Sequence, residues 1–394
     1  MSSSFSAGPQ ALGYLYQVRY ALDLILENRE ELQVSIESLD DVTFEEQGSP
    51  IELLQLKHHT NPASLTDRSS DLWKTIRVWS SFVKDGSVNS DTLLTLVTTG
   101  VAPDNSVSFL LKPGLHRNPK LATQQLRNIA QTSDSQSLAK AFDAFNELTP
   151  VQQEQLANAI HIIDNSPNII NVVLNIKNRI KLSVRRDHLD SLYERLEGWW
   201  FGKIINHLNG ASTVPVSGFE VSDKIRDIAE QFKPEALPID YFNAEPSNPP
   251  DADADTRRFV IQLKAISINN KRIEKAILDY YRAFEQRSRW AREELLFGDE
   301  IEHYEKKLVD EWDRYRLMLQ DELIIEDENE TMHQQFGRQL YNWMDQKADI
   351  RIRPQVSEEY VMRGSYHILA DQMSPTICWH PKFVERLTQL LPVS

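Results

Sequence analysis

Between residues 33 and 57 three short runs rich in branched and apolar side chains follow one another almost without connection, at about 33–39, 41–46 and 51–57. Asp40-Asp41 and the turn signal Gln47-Gly48-Ser49-Pro50 are all that separates them. Connections this short cannot hold a crossover helix, so the three strands are predicted to fold as an antiparallel meander. Before them, residues 9–28 open with Pro9 at a plausible first helical position and space Leu12, Leu15, Val18, Leu22 and Ile25 by three and four residues, the pattern of an amphipathic helix. After them, Leu72, Ile76, Trp79 and Phe82 form one helical stripe within 71–83, and Thr92–Val97 is an apolar run suited to a buried strand. The predicted order is helix, three strands, helix, strand.

From about 114 to 210 helical periodicity dominates, broken by the strand-like Ile160-His161-Ile162-Ile163. Between 232 and 256 the character changes, because Pro234, Pro238, Pro246, Pro249 and Pro250 alternate with Asp251, Asp253 and Asp255. Proline removes backbone donors and the like charges repel, so the stretch reads as a linker or an extended excursion. Two long helical patterns follow, one through Ile273, Ile277, Phe284 and Leu295, the other through Tyr304, Leu308, Trp312 and Tyr315. The expected fold class is α+β: a core over 1–112, an α-rich middle over 113–231, the Pro/Asp-rich stretch over 232–256, and an α-rich C-terminal domain over 257–394.

Composition narrows the function classes. A single cysteine, Cys378, excludes an internal disulfide framework and a thiolate metal site, and suits a reducing cytoplasm. No segment approaches the ~20 apolar residues of a membrane helix. A net charge of −15 argues against a general nucleic-acid coat, though not against a local DNA site. Residues 1–60 hold ten acidic but only three basic side chains.

That acidic concentration has a chemical reading. Gln55 and Lys57 project to one side of the third strand, and the meander returns that side beside Asp41. A hard cation such as Mg²⁺ or Mn²⁺ takes oxygen ligands and keeps several waters. Asp41, the Gln55 side-chain oxygen and Glu37 can supply such ligands, with Asp40 competing for the role of Glu37. A neighbouring lysine would stabilise charge on a scissile phosphate or help deprotonate a metal-bound water.

These residues resemble the PD-(D/E)XK nuclease superfamily, whose core has the same αβββαβ order and whose signature is an acidic residue followed by D/E-x-K. Ser6-Ala7-Gly8 to Tyr16-Gln17, Ser38-Leu39-Asp40-Asp41-Val42 and Leu54-Gln55-Leu56-Lys57-His58-His59 are similar to the double-stranded-DNA endonuclease domain of CBASS effectors and of Lamassu nuclease subunits. The resemblance implies Asp41 and Gln55 as metal ligands, Lys57 as the catalytic lysine, and Glu37 and Gln17 as supporting polar residues. Gln55 stands where Asp or Glu is commonest, which removes a negative charge. Tyr280-Tyr281-Arg282-Ala283-Phe284, Arg289-Trp290-Ala291-Arg292, Glu311-Trp312, Met362-Arg363-Gly364-Ser365-Tyr366-His367 and Trp379-His380-Pro381 are similar to the C-terminal domain of ABC-three-component system proteins.

Together these imply a Mg²⁺-dependent endonuclease acting on double-stranded DNA in antiphage or anti-plasmid defence. It would be held inactive by an SMC-like ATPase and a small third subunit, and active on release as a homo-oligomer joined by residues after about 257. The alternatives are a non-catalytic DNA-binding or structural subunit, and a cyclic-nucleotide-activated CBASS-type effector. Lys177, Arg179, Lys181, Arg185 and Arg186 place five cations in ten residues and read either as a phosphate grip or as a solvated face. His58 and His59 are adjacent on a strand and face opposite ways, so they do not make a metal pair. The helix-borne aromatics, among them Trp199-Trp200, Trp290, Trp312 and Trp343, read as core, with a partner interface as the other use.

Overall fold

A computed structural model describes residues 8–27, 30–59, 61–322 and 329–385 and divides the chain into two compact units, Met1–Ile228 and Ala229–Ser394. Ser6 and Ala7 of the first motif, and Asn28 at the end of the first predicted helix, lie outside the described residues.

The first unit begins with α1 (Gly8–Ile25), β1 (Gln33–Ile36), β2 (Val42–Glu46), β3 (Ser49–Lys57), α2 (Ser70–Asp85) and β4 (Leu93–Thr98), the order the sequence predicts. Gln47 and Gly48 both have positive φ, 50° and 77°, the type I′ geometry whose twist matches that of the strands it joins. α2 is bounded by the side chain of Ser69 at its N-cap and by left-handed Gly86 at its C-cap. β3 then pairs parallel with β4, as the intervening helix allows.

Next come α3 (Val107–Leu110), α4 (Pro119–Thr132), α5 (Ala139–Asn146), α6 (Pro150–Ala159), β5 (Ile160–Ile163), α7 (Ile169–Ile180), α8 (Leu189–Leu208), β6 (Val216–Ser217) and α9 (Gly218–Glu230). The six strands form one mixed sheet in the order β5-β4-β3-β2-β1-β6. Trp73 and Trp79 of α2 pack with Phe142, Phe145, Leu126 and Leu156 against Leu53, Leu94, Leu96 and Ile162 in one core. The expected boundary at 112/113 therefore does not separate two bodies, because the helices after it cover the sheet. Only at 228/229 does the chain pass to a second unit.

The second unit holds α10 (Arg258–Ala265), α11 (Asn270–Arg292), α12 (Glu300–Glu322), α13 (Glu330–Gln346) and α14 (Glu359–Asp371). Its proline-rich lead-in is an excursion over its own unit. The carbonyls of Ala236, Pro238 and Ala244 accept from Arg353, Trp290 and Arg282 respectively, which satisfies backbone that has no ladder. Most of the aromatics go inward: Trp290 and Trp379 are fully buried, and Trp312 nearly so. α11 and α14 cross closely at Gly364, where a Cβ would overlap the Asp279 carbonyl and the Ala283 methyl.

His367 on α14 is also fully enclosed, with its ring centroid 5.1 Å from that of Phe259 and 6.2 Å from that of Tyr341. Burial pushes its pKa down to about 3, against the raising pull of Asp345. His333, His380 and Glu330 cluster in the same unit. The His380 Nδ1 accepts the Lys382 backbone N–H at 3.0 Å, and its Nε2 lies 3.5 Å from Glu330 Oε1.

Candidate functional site

The connection from β1 to β2 carries Glu37, Asp40 and Asp41. Glu37 adopts a left-handed φ of 54°, unusual for a residue with a Cβ, and its N–H donates to the Asp41 carbonyl at 3.1 Å. Asp41 thus comes to stand one residue before Val42, which pairs with Leu54. There Asp41 Oδ2 accepts the Leu56 backbone N–H at 2.7 Å. That contact fixes the carboxylate between the two β3 residues that flank Leu56.

Those flanking residues are Gln55 and Lys57. By strand alternation they share a face with Leu53, and Gln55 is 8% exposed while Lys57 is half-buried. Lys57 lies close enough to draw the carboxyls of both Glu37 and Asp40 downward. From α1, the Gln17 side chain hydrogen-bonds Glu37, while its Oε1 is buried with no hydrogen-bond partner. Glu37 itself stands at the exposed rim. Partial desolvation of its carboxyl and the negative Asp41 beside it hold its pKa above the usual range, opposed by Gln17 and Lys57. The structure therefore gathers Asp41, Gln55, Lys57, Glu37 and Gln17 at one end of the central strands.

Asp40 turns the other way. It is buried; its Oδ2 accepts the Trp79 indole N–H at 2.7 Å and its Oδ1 accepts the Asp41 N–H at 2.9 Å. Burial pushes its carboxyl up to about 7, the two hydrogen bonds pulling against it. Packing separates the two candidates: Glu37 is exposed, and Asp40 is buried against Trp79. Sequence spacing could not show this, because the partner that draws Asp40 inward lies 39 residues away on α2. His58 and His59 diverge, with the His58 ring 4.8 Å from that of Tyr16 and His59 Nε2 2.8 Å from Asp71 Oδ2.

The basic run is divided by the structure. Arg179 pairs with Asp23 of α1 at 2.6 Å and with Glu27 at 3.3 Å, and Lys177 pairs with Asp190 at 2.8 Å. Lys181, Arg185 and Arg186 are exposed between α7 and α8 and form no ion pair with a described residue.

Among the described residues no helix is long and apolar enough to cross a membrane. No curated protein matches the chain. Among solved structures, it is similar to the Cap4 SAVED/CARF-domain containing receptor of Acinetobacter baumannii with the cyclic trinucleotide 3'3'3'-cAAA, at 15% identity and a TM-score of 0.34 over 65% of this chain and 60% of that one. It is similar also to the Cap4 SAVED/CARF-domain containing receptor of Moraxella osloensis, at 16% identity and a TM-score of 0.33, over 65% and 60% of the two chains. The chain thus matches over less than two thirds of the length of these proteins. Residues 259–387 match the C-terminal domain 7 of the ABC-three component systems.

Proposed function

We propose that this chain is the metal-dependent endonuclease subunit of an ABC-three-component defence system, cutting double-stranded DNA. The observation that carries the reading is the convergence of Asp41, Gln55, Glu37 and Lys57 around a carboxylate already fixed by the β3 backbone. The donor set fits a hard divalent cation: it is all oxygen, and beside it, on the Gln17 side chain that hydrogen-bonds Glu37, lies a buried, unpartnered Oε1. Asp41, Gln55 and Glu37 would hold Mg²⁺ or Mn²⁺, which when bound supplies Lewis-acid polarisation of the phosphate. Gln55 is neutral, so this set carries less charge than a set of three carboxylates and accepts a weaker hold on the ion.

The remaining chemistry belongs to the protein. Lys57 brings a fixed positive charge to where negative charge develops on the scissile phosphate. Glu37, exposed at the rim of the site, would complete the ligand set from the side open to solvent. By the resemblance of its sequence, the nuclease would be restrained by an SMC-like ATPase and a small third subunit and would act as a homo-oligomer when released. Two sites on opposite strands then turn independent nicks into one break.

The test is conversion of supercoiled plasmid by the purified chain in Mg²⁺ or Mn²⁺, in excess EDTA, and with Asp41→Ala. Metal-dependent nicking or linearisation that Asp41→Ala abolishes is the expected result. DNA binding with no cleavage in either metal would leave a non-catalytic subunit, and cleavage in EDTA would exclude the metal.

The DNA grip has its own test. With only Lys181, Arg185 and Arg186 unpaired, the log–log salt slope of binding is expected near about −2.7, at ~0.9 per phosphate contact. All five cations acting together would give about −4.5. Neutralising the exposed three should flatten the slope, while Lys177→Ala should leave it unchanged. Fluorescence anisotropy of a labelled duplex across a salt series reads both.

A further inference from the structure

We infer that Asp40 and Trp79 form a positioning pair that aims the Asp41 carboxylate, which makes a buried indole on α2 part of the metal-binding apparatus. The inference rests on the reading of Asp41 as a ligand. Asp40 is 9% exposed and Trp79 1% exposed, so neither touches DNA or solvent-borne metal directly. Their link to the site is a chain of hydrogen bonds. Trp79 Nε1 donates to Asp40 Oδ2 at 2.7 Å, Asp40 Oδ1 accepts the Asp41 N–H at 2.9 Å, and Asp41 Oδ2 accepts from the Leu56 N–H at 2.7 Å.

The turn holding Asp41 closes the β1–β2 hairpin just beyond the Ile36–Val42 pair. Within it the Glu37 N–H donates to the Asp41 carbonyl at 3.1 Å, and Glu37 holds a left-handed conformation that a non-glycine residue resists. A carboxylate must be oriented to ligate, and partners one step behind ligands typically change metal affinity ~10- to 100-fold when lost. Core burial alone does not explain the arrangement. A carboxylate is a costly group to bury beside an indole, and this one spends both oxygens on a two-point clamp between α2 and the residue after it.

The experiment measures Mn²⁺ binding to the full chain by electron paramagnetic resonance, without DNA, beside thermal melting. Asp40→Asn keeps the shape but leaves one acceptor for the two N–H groups of Trp79 and Asp41, and Trp79→Phe keeps the ring but removes the N–H. Each is expected to weaken Mn²⁺ binding ~10-fold or more, and the double variant no further than the worse single one, since both break the same chain. A purely structural pair would lower the melting midpoint and leave the Mn²⁺ affinity of the folded protein unchanged, which would overturn the inference. Should Trp79→Phe fail to fold, the isosteric Asp40→Asn carries the test. Asp41→Ala separates the two readings. If it abolishes Mn²⁺ binding while the pair has no effect, the metal site stands and the positioning role falls. If wild type and Asp41→Ala bind Mn²⁺ alike, both fall.

Discussion

Replacing Lys57 with alanine should slow plasmid cleavage by ~10² to 10³ while leaving duplex affinity and melting temperature close to wild type. The separation follows from where the residue sits. Lys57 is the last residue of β3 and half-buried, so its side chain adds little to the core, and its backbone carbonyl still accepts the Thr99 N–H at 3.2 Å whatever the side chain. What is lost is one fixed positive charge close to Glu37 and Asp40, and such a charge matters most when the transition state adds negative charge. Single-turnover cleavage at saturating Mg²⁺, with duplex binding measured in parallel, checks both halves. Wild-type nicking by the variant would remove the lysine from the mechanism.

Lowering the pH should selectively destabilise the second unit through His367. The folded-state pKa near 3 lies below the ordinary 6.5, so the neutral ring stabilises the fold above pH 6.5 and that contribution is lost as the pH falls toward 3. At ~1.4 kcal/mol per pH unit, the full loss is about 5 kcal/mol, of which about 3 falls between pH 6.5 and 4. Asp279, pushed up to about 6 by burial, works in the opposite direction over part of the same window. The informative quantity is therefore the difference between wild type and His367→Leu. Urea unfolding at pH 7, 5.5 and 4 should show the wild type losing stability faster than the variant; parallel pH dependences would mean that the ring is reached by solvent before the unit unfolds.

Local chemistry made much of the first unit legible. Gln47-Gly48 marks the hairpin because both residues must take positive φ, and the period-two placement of Gln55 and Lys57 sets them on one face whatever lies around them. What escaped depends on partners distant in sequence. Two-residue β6 carries no pattern of its own and exists only because Val34 and Gln33 offer it an edge. Arg179 looked available to phosphate until the fold brought Asp23, 156 positions away, to its guanidinium. The proposed limit at residue 112 failed for a similar reason: the helical periodicity of 119–159 shows an apolar face and does not say that the face it covers is this same sheet.

The strand order sets a schedule for synthesis. β1 to β4 leave the ribosome within the first hundred residues, yet the strands that close the two margins of the sheet are β5, at 160–163, and β6, at 216–217. At ~5 to 20 residues per second, roughly 10 to 30 s pass between the emergence of Lys57 and that of Val216. Throughout that interval β1 presents an open row of backbone donors and acceptors, the kind of edge on which chains pair with one another. A chain truncated before residue 216 keeps that edge open for good. Shortened versions of this protein should therefore self-associate through β1, even though every residue of the Asp41–Lys57 site is present in them.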